Sequence, residues 1–244
     1  MSDFQYQDQR YSQSQVWSQG TTAPRTLTAA EVSVAERMSF VRKVYALFFA
    51  GTLFAIGGVG IGFLFPSLMI AIVQHYWIAF FTLIGGVMAA QALRHVRGIN
   101  VLALFGFTTL TGVLISPGMA IIAVRNPVSI LQAGILTVGI FGGLTAYVFI
   151  SKRDFSFLRG LLVTGLIIVV LAGLLNMLLV GSSALGFALA AGSLLLFSGY
   201  VLYDTSNIIR RYPTNEYIAG ALSIYLDAFN IFLALLRLLN SGRR

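Results

Sequence analysis

Long apolar stretches alternate with short polar segments along most of the chain. Seven of these stretches reach about 20 residues, which is enough for an α-helix to cross a bilayer. They span about residues 44–65, 72–93, 98–120, 128–150, 158–180, 184–209 and 217–239. Four prolines, Pro66, Pro117, Pro127 and Pro213, fall at or near these ends, where proline is tolerated. The pattern predicts an all-α integral membrane protein, a bundle of seven transmembrane helices.

The first 39 residues differ from the rest and divide the chain into a tail, 1–39, and a membrane domain, 40–244. Residues 1–27 are rich in Gln and Ser and have too little apolar surface to fold alone. They predict a disordered cytoplasmic tail, with a partner-binding tail as the alternative. Thr28 and Glu31 fit a capping box. A short amphipathic helix over about 29–43 is therefore expected on the membrane surface.

Composition supports the membrane assignment and excludes several kinds of site. Of the residues, 57% are hydrophobic and 10% are charged, whereas about 25% are charged in a soluble domain. The lack of cysteine excludes disulfides, thiolate metal sites and a cysteine nucleophile. His75 and His95 are too few and too far apart for a histidine-based metal site. The net charge is +8, and most of the Lys and Arg residues lie between the apolar runs. This placement indicates membrane topology rather than a nucleic-acid partner.

The basic residues between the spans predict an orientation. Ten Lys or Arg residues flank the spans on the side of the N-terminus, and only Arg125 lies on the other side. The ten are Arg37, Arg42, Lys43, Arg94, Arg97, Lys152, Arg153, Arg159, Arg210 and Arg211. The positive-inside rule then places the N-terminus in the cytoplasm. The predicted location is the inner (cytoplasmic) membrane of a bacterium, with endomembranes as the alternative. Seven spans put the C-terminus outside, although Arg243 and Arg244 oppose that placement.

Small residues predict where helices approach each other closely. Gly58 and Gly62 are four residues apart in the first span, and the stretch "GIFGG" occupies 139–143 in the fourth. Such small faces allow close packing of helices in lipid. Both stretches are therefore expected to lie at helix contacts.

Two of the eight acidic residues lie inside proposed spans, Asp204 in the sixth and Asp227 in the seventh. An ionisable residue in a span is costly and is a functional candidate by default. Helical rise places Asp204 roughly 9 Å from the cytoplasmic edge and Asp227 roughly 15 Å deep, on helices joined by a short loop. If the carboxyl groups meet, they share a proton because both cannot ionise cheaply. The pair is predicted to be a pH-dependent switch that attracts a cation, with interhelical hydrogen bonding as the alternative.

Other polar side chains accompany the two aspartates. An asparagine, Asn207 or Asn230, follows each aspartate by three residues and lies on the same helical face, where it can orient the carboxylate or line a polar path. Tyr203 and Tyr225 add hydroxyl groups nearby. Arg94 closes the second span. It is either a snorkelling positive-inside arginine or a latch that reaches a carboxylate and holds a closed state.

Three stretches make the sequence similar to a known family: "SKRDFSFLRG" at 151–160, "VLYDTSNII" at 201–209 and "EYIAGALSIYLDAFNIFLALLRLL" at 216–239. They resemble the Bax inhibitor family, or transmembrane Bax-inhibitor-motif family, over about residues 40–240, as a bacterial-type member. The resemblance implies a seven-helix bundle whose last helix is central. It also implies that Asp204 and Asp227 form a pH-sensitive pair and that Arg94 can pair with one of them. Some members carry an acidic residue within the second span, and this chain has none there.

The resemblance also implies a function. Family members are linked to pH-dependent calcium leak, which makes Asp204 and Asp227 candidate Ca²⁺ ligands and Ca²⁺ a permeant ion rather than a cofactor. Some bacterial relatives associate with a membrane-bound AAA+ quality-control protease, so a non-transporting modulator of such a protease or of a stress response is the alternative. An enzyme is disfavoured. Intramembrane aspartyl proteases share the pair Tyr203-Asp204 but carry Gly-x-Gly-Asp at the second aspartate, where this chain has Ile-Tyr-Leu-Asp at 224–227.

Overall fold

The computed structural model describes residues 27–96 and 98–241. The predictions for the tail at 1–26 and for Arg97, Arg243 and Arg244 therefore lie outside the described residues. The helices are α1 Val34–Leu64, α2 Pro66–Gln74, α3 Tyr76–Leu93, α4 Ile99–Arg125, α5 Pro127–Ser151, α6 Arg159–Leu175, α7 Ser183–Arg210 and α8 Tyr217–Ser241. A 3₁₀ turn, Ser156–Leu158, precedes α6, and a π-helical turn, Asn176–Val180, continues it.

Within the described residues, seven helical segments are long and apolar enough to cross a membrane, which confirms the predicted class. The short α2 lies between the first two spans. Five basic residues mark one end of the bundle, which we call the basic end: Arg94, Lys152, Arg153, Arg210 and Arg211. The other end, where α4 stops and α7 starts, is the far end.

The first span begins differently from its prediction. The residue that caps α1 is Ser33, whose Oγ accepts the N–H of Glu36 at 3.3 Å while Glu36 Oε2 accepts the N–H of Ser33 at 3.3 Å. Thr28 does donate to Glu31 Oε2 at 2.9 Å, but a turn and not a helix follows. The prediction of a separate surface helix over 29–43 is wrong, because α1 runs unbroken from Val34 to Leu64. No proline or glycine before Gly51 interrupts its helical hydrogen bonding.

Pro117 lies inside α4, so the prediction that it marks the end of a span is wrong. Proline has no N–H, and its place in a helix leaves the carbonyl four residues earlier without a donor. That carbonyl belongs to Val113, and it accepts a hydrogen bond of 2.7 Å from Ser116 Oγ. Local side chains that satisfy the freed carbonyl allow a membrane helix to continue through proline. This is why α4 extends to Arg125.

The helices α1 and α4 cross with their backbones in contact. A Cβ added at Gly58 of α1 would collide with the carbonyl oxygen of Thr109, and one added at Gly112 of α4 would collide with that of Ala55. Gly62 packs against the Ser116 side chain of α4. The predicted contact at Gly58 and Gly62 is therefore confirmed.

The second stretch of small residues, 139–143, does not behave as predicted. A Cβ added at Gly139, Gly142 or Gly143 would meet nothing within 4 Å among the described residues. The prediction that these glycines lie at a helix contact within the chain is therefore wrong. Small residues permit close approach of helices but do not require it. The buried Phe141 shows that α5 faces the bundle with another side than the one that carries these glycines.

The last helix is the centre of the bundle. In α8, 61% of the most apolar 18-residue window is buried, against 39% or less in the other spans of the described residues. Its fully buried side chains, which include Leu222, Ile224 and Ile231, contact the core from several sides. This position confirms the expected architecture and places Asp227 in the interior of the protein.

Candidate functional site

Asp204 of α7 and Asp227 of α8 meet inside the bundle. The two helices are neighbours joined by residues 211–216, so they run in opposite directions. The carboxyl groups lie within hydrogen-bonding range of each other. Asp227 is only 3% exposed, whereas Asp204 keeps partial exposure. The structure thus brings together the two residues that the sequence singled out as the centre of the site.

The electrostatic surroundings of the pair are unusual for two acids. No basic side chain forms an ion pair with either aspartate within residues 27–96 and 98–241. Asp227 Oδ2 is buried and has no hydrogen-bond partner there. Two adjacent carboxylates with little hydration repel each other strongly, and a proton held between them removes most of that repulsion. The arrangement is therefore suited to taking up and releasing a proton.

The two asparagines have different partners. The amide of Asn207 lies within hydrogen-bonding range of the Asp204 carboxyl group. The Asn207 backbone carbonyl also accepts the N–H groups of Arg211 at 2.7 Å and Tyr212 at 3.0 Å, which ends α7. Asn230 instead donates to Leu226 O on its own helix at 2.8 Å. Only Asn207 orients one of the aspartates in this conformation.

The two predicted tyrosines do not bond to the pair. Tyr225 points toward α4, where its hydroxyl shares a short hydrogen bond with Thr111 Oγ1. Its ring stacks on Phe229 at a centroid distance of 5.8 Å and meets the edge of Phe107 at 6.3 Å. Tyr203 is half-buried, and its hydroxyl makes no hydrogen bond with the part of the chain that the structure describes. Tyr225 therefore fixes α8 in the core rather than contacting a carboxylate.

Two tyrosines that the sequence analysis did not select lie closer to the pair. Tyr200, one helical turn before Asp204, is near enough for the charges of both aspartates to act on its hydroxyl. Tyr212 OH lies 3.2 Å from Ser223 Oγ, and Ser223 is one turn before Asp227. Burial, and secondarily the charge of Asp204, raise the pKa of Tyr212 to about 12, so its hydroxyl stays protonated at neutral pH. The spacing of four residues from each aspartate was the signal that could have identified Tyr200 and Ser223.

Arg94 lies at the basic end, directly after the last residue of α3. Its Nε is 3.9 Å from Glu216 Oε2, and its Nη1 donates to Gln91 Oε1 at 3.2 Å. Asn100 Nδ2 donates to the Arg94 carbonyl at 3.2 Å and fixes the turn that carries the arginine. In this conformation Arg94 therefore pairs with Glu216 and not with Asp204, and its role as a latch stays a prediction.

A segment before α1 lies across the loop between α7 and α8. Ala29 N donates to Tyr212 O at 2.9 Å, and Thr214 N donates to Leu27 O at 3.4 Å. Ala29 is fully buried, and its carbonyl accepts a bond of 2.7 Å from Arg37 Nε. The segment thereby covers the loop from which Tyr212 reaches the surroundings of the aspartate pair.

The described side chains of the site offer fewer oxygen ligands than calcium usually takes in proteins. Ca²⁺ takes about six to eight oxygen ligands in proteins. Among the described residues, no group of three or more His, Cys, Asp or Glu side chains could hold a metal. Asp204, Asp227 and Asn207 offer only a few oxygens at one point.

Fold and site define a class: a helical multi-pass membrane protein with a buried aspartate pair on its last two spans. The family model described as "Inhibitor of apoptosis-promoting Bax1" matches residues 37–244. The chain belongs to this family, the Bax inhibitor family, as its sequence motifs suggested.

Relatives of the chain occur in bacteria and eukaryotes. An uncharacterised protein of Campylobacter jejuni is 38% identical over 206 residues, which cover 83% of this chain and 88% of that protein. Bax inhibitor 1 of Schizosaccharomyces pombe is 34% identical over 225 residues, or 88% of this chain and 80% of the relative. Protein lifeguard 4 of Mus musculus is 34% identical over 215 residues, or 87% and 89%. The matches extend over nearly the whole membrane domain, so they bear on the bundle as a unit.

Proposed function

We propose that the protein is a pH-sensitive cation leak channel, with Ca²⁺ as the permeant ion and the Asp204–Asp227 pair as its gate. The observation that carries the proposal is the meeting of two carboxyl groups inside the membrane bundle without a basic partner among the described residues. A structural role alone is served better by neutral polar groups, which hold helices together in lipid without the penalty of a charge.

The gate works through the charge of the pair. When the pair holds a proton, hydrogen bonding between the carboxyl groups keeps α7 and α8 together and removes the negative charge that attracts a cation. When the proton leaves, the carboxylates repel each other and the site offers oxygen ligands to Ca²⁺. We therefore expect leak to be low at acidic pH and to rise with increasing pH. The excess of Lys and Arg at the basic end favours a cytoplasmic location for the mouth nearest Asp204, in the inner membrane of a bacterium.

Calcium flux into proteoliposomes, measured with an entrapped indicator from about pH 6 to pH 8, tests the proposal. A group that switches at physiological pH gains or loses its proton within this range. Wild-type protein should show a flux that rises with pH. The double variant Asp204→Asn, Asp227→Asn keeps the polar volume of both side chains but cannot exchange a proton, so its flux should no longer depend on pH. Asp154→Asn is the matched control, because it removes an exposed carboxylate outside the spans. An unchanged pH response in the double variant excludes the gate.

A second candidate is a modulator of a membrane-bound AAA+ protease that transports nothing. It is favoured by the exposed glycines at 139–143, which leave room on α5 for a helix of another protein. A relative is also named as an inhibitor, Bax inhibitor 1. Co-purification with such a protease that is lost on Gly142→Leu but kept on Gly106→Leu, together with a flat calcium flux, would favour this candidate over the channel.

A further inference from the structure

A cavity of about 340 Å³ opens at the far end of the bundle, at the opposite end from the basic residues around Arg94. It lies where α4 ends, α7 begins and α8 ends. Its lining includes Arg237, Asn240 and Ser241 of α8, Ser183 of α7, and the apolar Ile122 and Leu233. None of these residues takes part in the proposed calcium path, so the cavity is a separate feature of the molecule.

Arg237 brings a positive charge into this cavity without a counter-ion. Within the described residues, no ion pair or side-chain hydrogen bond involves its guanidinium group. The acidic residues of the described segments lie before or in the first turn of α1, at the basic end, or in the aspartate pair. The one on the same helix, Asp227, is ten residues away, or roughly 15 Å. Arg237 is exposed and unpaired among the described residues, so an anion from the membrane surface or from solvent can reach it.

The surrounding groups hold the guanidinium at the level of the membrane surface. Arg237 lies four residues before the end of α8, which is roughly 6 Å along the helix. It packs against the first turn of α7, because a Cβ added at Gly186 would lie 2.5 Å from Arg237 Nη2. Arg125, one turn after Ile122 on α4, adds a second positive charge at the same end.

We propose that this cavity binds a phosphate group, supplied by a phospholipid headgroup or by free phosphate. The guanidinium fork matches the geometry of phosphate oxygens, and the Ser183 hydroxyl, which has no hydrogen-bond partner among the described residues, is a further donor. Asn240 is already committed, since its amide donates to Ser129 Oγ at 3.0 Å and to Leu236 O at 2.7 Å, and it forms a fixed wall.

The test uses the full chain, purified in detergent and stripped of lipid. Native mass spectrometry counts the molecules retained after addition of phosphatidylglycerol, of a glycolipid with the same acyl chains but no phosphate, or of inorganic phosphate. Wild-type protein should retain phosphatidylglycerol and not the glycolipid. Arg237→Gln should weaken retention about tenfold or more, because it removes charged hydrogen bonds to the ligand. Arg153→Gln, which removes an exposed arginine at the basic end, should behave as wild type.

The outcomes separate the two sources of phosphate. Retention of phosphatidylglycerol without any shift of the unfolding midpoint by inorganic phosphate supports a lipid headgroup, and a midpoint shift by inorganic phosphate that depends on Arg237 supports a soluble anion. Equal retention by wild type and Arg237→Gln would overturn the proposal, as would equal retention of the glycolipid. Arg237→Met serves if the glutamine variant does not fold, because an apolar unbranched side chain suits a membrane helix. It should lose retention to the same extent.

Discussion

The crossing of α1 and α4 makes a sharp prediction about two glycines of one helix. In Gly112→Ala, the new methyl group would collide with the Ala55 carbonyl oxygen, and it would lie 2.8 Å from the Ala55 carbonyl carbon and 3.0 Å from Val59 N. All three atoms belong to the backbone of α1, so no side chain can rotate away. The helices must instead move apart by about an ångström or more to restore van der Waals contact.

The expected effect is a loss of about 1–3 kcal/mol in the free energy of unfolding, which is typical of overpacking in a well-packed interior. Gly106→Ala on the same helix is the matched control, because a Cβ there meets nothing within 4 Å. That variant should be neutral or more stable by about 0.5–1 kcal/mol, since alanine favours a helix over glycine.

Equilibrium unfolding in mixed micelles measures both variants. Gly112→Ala should also weaken the contact between Thr111 and Tyr225, because Thr111 is the preceding residue on the helix that moves. If Gly112→Ala proves as stable as Gly106→Ala, the backbones of α1 and α4 are not in contact at this point, and the reasoning from the structure is refuted.

Two further predictions concern the basic end. The bond from Arg211 Nη2 to Asp154 Oδ2, 2.8 Å long, lowers the pKa of Asp154 to about 2. This exposed pair contributes about 0.2–1 kcal/mol of stability above the ordinary pKa near 3.8, and that stability is lost as the pH falls through 2. Asp154→Asn should therefore melt at a lower temperature than wild type at pH 5 and at the same temperature as wild type at pH 2. Arg94→Gln removes the ion pair with Glu216, and if Arg94 stabilises a closed state, calcium flux should rise by up to about fivefold, the factor that an exposed ion pair can supply. An unchanged flux would leave Arg94 as a topology signal only.

The spans and the aspartate pair could be predicted because both follow from short-range rules. Apolar stretches of sufficient length must form helices in lipid, where backbone groups have no water to bond. Two aspartates at similar depth on adjacent antiparallel helices have little room to avoid each other. The start of α1 at Val34 and the continuation of α4 through Pro117 could not be predicted in this way. The start of α1 depends on which of two capping boxes begins the helix. The continuation of α4 depends on one hydroxyl, Ser116 Oγ, which bonds the carbonyl that Pro117 leaves free.

The roles of the asparagines show a second limit of sequence reasoning. Asn207 and Asn230 have the same spacing from their aspartates, yet only Asn207 lies within hydrogen-bonding range of a carboxyl group. Spacing fixes the face of a helix that a side chain occupies, whereas the rotation of that face toward a neighbour depends on how the whole bundle packs. Tyr212 could not be selected at all, because its contact with Ser223 depends on the path of the loop between α7 and α8.

The basic end places Arg94 beside Glu216 and close enough to Tyr212 for its charge to act on the hydroxyl. Arg94 Nε lies 3.9 Å from Oε2 of the partly exposed Glu216. The charges of Arg94 and of Asp204 both act on the Tyr212 hydroxyl. An exposed ion pair is weak, whereas an unpaired charge inside a protein is costly, so a charged Asp204 would attract the guanidinium away from Glu216. A protonated Asp204 would leave it where this structure has it. The position of Arg94 should therefore report the charge of the aspartate pair, and we expect its pairing with Glu216 when Asp204 holds a proton.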